Sequence, residues 1–67
     1  MTIVQQVTTT EAGTNWLAGL TDDDRVLVYR DRKIHGKGTW DGSLIHGVEA
    51  TGSVLGRLER KLSSVVS

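Results

Sequence analysis

The amino-acid sequence predicts a mainly β domain in which a short helix precedes a set of short, strongly bent antiparallel strands. Three observations carry this expectation. Residues 25–30, Arg-Val-Leu-Val-Tyr-Arg, are rich in β-branched and aromatic side chains, the composition of a strand. Gly36, Gly38 and Gly47 interrupt the runs that follow, and glycine inside a strand marks a bulge or a tight bend. Asp41-Gly42 lies between two such runs and is a two-residue hairpin signal.

The elements follow in chain order. Residues 1–10 are rich in Thr, Val and Ile and suit an extended arm. Thr8-Thr9-Thr10-Glu11 offers N-cap residues, and Trp16, Leu17 and Leu20 share one face at helical spacing. A helix is therefore expected over 11–20, kept short by Gly13 and Gly19. Asp22-Asp23-Asp24 is a polar turn that lacks the alternating ligands and closing Glu of a calcium loop. Strands are expected over 25–30 and 33–40, joined tightly at Asp31-Arg32, and over 44–50, with a turn at Thr51-Gly52. The tail reads two ways. Val54, Leu58, Leu62 and Val65 have helical spacing; Val54, Gly56, Leu58 and then Leu62, Ser64, Val66 have the two-residue period of a strand. Gly56 and the run Ser63-Ser64-Val65-Val66 disfavour a helix, so local pattern leaves the two even.

Composition narrows the function. The 67 residues make one domain, 1–67. A chain of this size buries only about 60% of its unfolded surface, so it needs a disulfide, a metal or self-association. Cysteine is absent, which removes disulfides, thiolate metal sites and thiol catalysis. His35 and His46 are too few for a typical structural zinc site. Self-association remains, and no metal or cofactor is expected. No stretch approaches the ~20 apolar residues of a membrane span, and Met1 to Val7 lack the pattern of a signal peptide. Absent cysteine suits a reducing compartment, so a cytoplasmic protein is expected. The net charge is +0, yet residues 25–40 carry Arg25, Arg30, Arg32, Lys33 and Lys37 against Asp31 alone. This basic middle suits a binding face, or an ordinary solvated strand pair.

The stretch RVLVYRDRKIHGKGTWDG, residues 25–42, resembles the first sequence motif of the Sm/LSm/Hfq-like family: an alternating apolar strand, a turn, then Ile34-His35-Gly36 and Asp41 in the motif's places. The end, LERKLSSVVS, is similar to the last strand of Hfq. The resemblance covers roughly Asn15 to Ser67. It implies an Sm-like, SH3-type small barrel: an extended arm over 1–10, a helix over 11–20 and a five-stranded, strongly bent antiparallel open barrel over 25–66, with the tail as a strand. It also implies a homo-oligomeric ring of five to seven subunits that binds single-stranded RNA, or DNA, at loops facing a pore. Carried over residue by residue, one loop is Asp41 to His46 and the other Leu58 to Lys61. His46 would then stack on or hydrogen-bond a base, Arg60 and Lys61 would contact phosphate or base edges, Ser43 would join them, and Asp41 would organise its loop. Where the family places an Asn, this chain has Leu44-Ile45-His46.

Each nominated residue has a plainer role open to it. His46 suits an exposed strand position, and Arg60 and Lys61 suit surface charge or salt bridges. Trp40, Trp16 and Tyr29 suit packing. Ser43 near His46 lacks a placed third acid, and Gly36-Lys37-Gly38-Thr39 lacks the first glycine of a phosphate loop, so no enzyme is expected. Two other classes stay open. WLAGLTDDDRVLVYRDRKI is similar to the AbrB family, which implies a swapped-hairpin DNA-binding dimer. A small-barrel scaffold subunit without nucleic acid is the other.

Overall fold

The chain opens with a β-hairpin. This is seen in a computed structural model that describes residues 2–50 and 53–66. Strands β1 (Ile3–Glu11) and β2 (Thr14–Thr21) pair antiparallel, with Thr8 opposite Leu17 and Glu11 opposite Thr14. Ala12 and Gly13 join them at φ 52° and 79°, and a two-residue turn with both φ positive matches the twist of the strands it connects. The helix expected over 11–20 is thereby overturned. Trp16, Leu17 and Leu20 do satisfy a helical stripe, but the buried set is Trp16, Ala18 and Leu20, at the two-residue period of a strand. The Thr8–Thr10 run supplies the β-branched partner strand rather than a cap.

The strands β3 (Arg25–Arg30) and β4 (Lys33–Trp40) lie where the sequence places them. Their turn, Asp31-Arg32, again has both φ positive, 49° and 70°. A short β5 (Ile45–His46) completes a sheet in the order β1-β2-β3-β4-β5, every neighbour antiparallel, curled into a half-barrel. The third strand expected over 44–50 shrinks to two residues. Gly47 takes φ 86°, the chain leaves the ladder, and Val48 is buried beside Gly36 and Gly38. A Cβ at Gly38 would overlap the His46 carbonyl oxygen and the Val48 side chain. Close approach of this segment, as well as strand bending, therefore requires glycine there.

Residues from Val54 to Val66 form the helix α1, not a closing strand. The domain is thus mainly β with its helix at the C-terminal end, and its five strands begin at Ile3 rather than within 25–66. Magnitudes explain the outcome. Val54, Leu58 and Leu62 are fully buried against the concave face of the sheet, and each such side chain contributes about 1.5–3 kcal/mol. Gly56 faces open space and costs only about 1 kcal/mol in a helix. The concave, inner face supplies Val7, Trp16, Ala18, Leu20, Val26, Val28, Trp40 and Ile45 to the same core. The turn expected at Thr51-Gly52 lies outside the described residues. No helix among them is long and apolar enough to cross a membrane.

Candidate nucleic-acid interface

Asp41, Ser43 and His46 share the β4–β5 turn. Asp41 Oδ1 accepts the Ser43 and Leu44 backbone N–H groups at 2.9 and 2.7 Å and the Ser43 hydroxyl at 3.4 Å. This is the side-chain-to-backbone bonding by which Asp shapes turns. Asp41 Oδ2 accepts from His46 Nε2 at 2.7 Å. The His46 hydrogen bond, then those of Leu44 and Ser43, hold the Asp41 carboxyl well below the usual carboxylate range. The carboxylate sits between hydroxyl and imidazole, whereas nucleophilic catalysis needs the imidazole between them. The His46 ring is half exposed and turned to Asp41.

Leu58-Glu59-Arg60-Lys61 lie within α1, so the second of the two expected loops is a helical turn instead. Its residues diverge because consecutive helical positions point about 100° apart. Leu58 is core. Glu59 Oε2 accepts the Ile45 N–H at 2.8 Å and ties the helix to β5. Arg60 is exposed near Ser43 and Leu44. Lys61 Nζ donates to the Thr8 carbonyl at 2.5 Å, and Arg57 donates to the Thr10 carbonyl at 3.2 Å. The structure therefore brings Arg60 to the turn that holds Asp41, Ser43 and His46, and sends Lys61 to the opposite flank, onto the outer edge of β1.

A different surface collects the chemistry that suits a ligand. Cross-strand partners share a face, and the register places Thr8, Leu17, Tyr29 and Ile34 in one row across the convex, outer side of the sheet. The next row is Gln6, Gly19, Leu27 and Lys37, and Ile3 packs over Gly19. Leu17, Leu27 and Tyr29 are half-buried, and Ile34 is 54% exposed. A depression of about 520 Å³ opens here, lined by Gln6, Thr8, Thr10, Asn15, Leu17, Tyr29 and Arg32 among others. Arg25, Thr39 and His46 form a further row beyond Lys37, so Asp41, bonded to His46, borders this end of the face. Arg25 lies 3.5 Å from Asp23, whose carboxyl is lowered chiefly by its hydrogen bond from Thr21. Among the described strand residues the carboxylate is Glu11, which alternates with Val7 and Thr9 toward the inner side and accepts from Ser53 at the start of α1.

This face could have been found from the sequence by pairing Leu17 with Tyr29 across a hairpin, which the helical expectation for 11–20 hid. A register shift between Val28 and Tyr29 also separates Lys33 from Lys37: Lys37 lies outside with Leu27, and Lys33 lies with Arg30 and Trp16. The His35 ring stands nearly perpendicular to that of Trp16, centroids 5.0 Å apart, and donates from Nε2 to the Glu49 carbonyl at 2.5 Å. Arg30 lies 5.8 Å from the Trp16 ring. Trp16 and Trp40 are core. Comparisons of the chain with protein-family models, with curated proteins and with solved structures gave no match.

Proposed function

We propose that this chain is a non-catalytic domain that binds single-stranded nucleic acid on the outer face of its sheet. The observation that carries the reading is the exposed row around Tyr29, with Arg32 at one end of the face, Lys37 and Arg25 at the other, and no carboxylate between them among the described strand residues. Unpaired bases stack on flat side chains while nearby cations hold phosphate. Thr8, Thr10, Asn15 and Gln6 add hydroxyl and amide groups suited to base edges. Lys37 lies on the neighbouring strand, one row from Tyr29 on the same face. Duplex DNA offers no exposed base faces to such a platform.

The nominated pore group supports binding less well, because His46 is held by Asp41 and Lys61 by Thr8. An Sm/LSm/Hfq-like ancestry is part of this proposal; the short motifs and a small curled antiparallel sheet support it. Fluorescence anisotropy with labelled oligo(U) and oligo(dT) tests the reading. Saturable binding that weakens with salt is expected, and Tyr29→Ala should weaken it by about 5- to 150-fold, the equivalent of ~1–3 kcal/mol per stacked base. Absence of saturable binding, or a Tyr29→Ala variant that binds as well as the parent, would refute it.

A further inference from the structure

We infer that two copies of this chain pair antiparallel through the N-terminal half of β1 and form one continuous sheet. The edge of β1 is guarded along only part of its length. Arg57 and Lys61 occupy the Thr10 and Thr8 carbonyls. By the two-residue period of a strand, Gln6 turns its backbone N–H and C=O to the same open side. Val4 is the residue that the β1 irregularity leaves without a partner in β2, and Val4 and Ile3 are 56% and 42% exposed. Val65, 49% exposed, lies beside Gln6 and Lys61 at the end of α1. An unguarded edge flanked by apolar side chains is a template for another strand.

The occupant is a second copy for two reasons. Residues 2–10, Thr-Ile-Val-Gln-Gln-Val-Thr-Thr-Thr, carry no charge, so identical strands meet without repulsion and an acidic or basic partner finds nothing to complement. The other side of the sheet offers no comparable edge. The strand β5 has two residues, and β4 is covered by His46 through Glu49, with His35 bonded to the Glu49 carbonyl. A ring needs two different edges that fit each other. Pairing of one edge with itself is two-fold and closes at two chains. The dimer stands whether or not nucleic acid binds.

Native mass spectrometry and sedimentation of the full chain, from micromolar to millimolar concentration, test this. The expected result is a monomer–dimer equilibrium that Val4→Lys abolishes while circular dichroism and thermal midpoint stay those of the parent. In the parent, hydrogen exchange of the Val4 and Gln6 amides should slow as concentration rises, a readout that needs no variant. A monomer throughout, a ring of five to seven chains, a dimer that survives Val4→Lys, or exchange independent of concentration would overturn the proposal.

Discussion

The two faces of the sheet are made by the same strands and obey the same alternation, yet they do different work. On the inner face Trp16, Ala18, Leu20, Val26 and Val28 meet Val54, Leu58 and Leu62 of α1. On the outer face Leu17, Leu27, Tyr29 and Ile34 meet no covering element among the described residues. The helix chooses between them. It can cover only one side, and the side it covers carries the larger apolar surface, while Arg25 and Lys37 leave the other side solvated. A 67-residue chain thus spends one face on its core and leaves the other exposed.

Removing matched side chains from the two faces should give unequal losses. Leu58→Ala, at a fully buried position, is expected to cost about 2–5 kcal/mol. Leu27→Ala, half-buried on the outer face, should cost well under half as much in the same urea titration. Equal losses would mean that the outer face is covered in solution. Gly38→Ala comes next. Its Cβ would meet the His46 carbonyl and Val48, and overpacking of this kind costs about 1–3 kcal/mol. Gly56→Ala faces open space and should instead stabilise by up to ~1 kcal/mol. A smaller effect lies at the border of the outer face. Asp41 is held below its usual range when folded, so its contribution is fully present above the unfolded value of about 4 and is lost as the pH falls below that value toward the folded one. Amide shifts of Ser43 and Leu44 should follow that acid transition, and Asp41→Asn should remove it.

The sequence made β3 and β4 legible because both are long, β-rich runs closed by turn residues, and the bounds 25–30 and 33–40 match. It hid β2 because Ala18 and Gly19 are too small to register as either face, so the large residues Trp16, Leu17 and Leu20 suggested a helix. A Gly at the second place of the Ala12-Gly13 turn was the available hairpin signal. In the tail the local pattern is even between helix and strand, and the family resemblance points to a strand. What settled it physically is tertiary: the inner face needs a cover, and only a helix lays Val54, Leu58 and Leu62 on it together. The turn of Asp41, Ser43 and His46 was visible as a motif, but its partner segment was misread, because whether Arg60 and Lys61 diverge depends on helix or strand. The outer platform needed the register of three strands at once and could not emerge from any one segment.

The most direct test of the central claim is a map of backbone amide shifts in the isotope-labelled protein during titration with short oligo(U) or oligo(dT). Saturable shifts are expected at Leu17, Leu27, Tyr29, Ile34 and Lys37, with Val54, Leu58 and Leu62 unmoved. Shifts confined to Asp41, His46 and Arg60, or no saturable shifts at all, would contradict it.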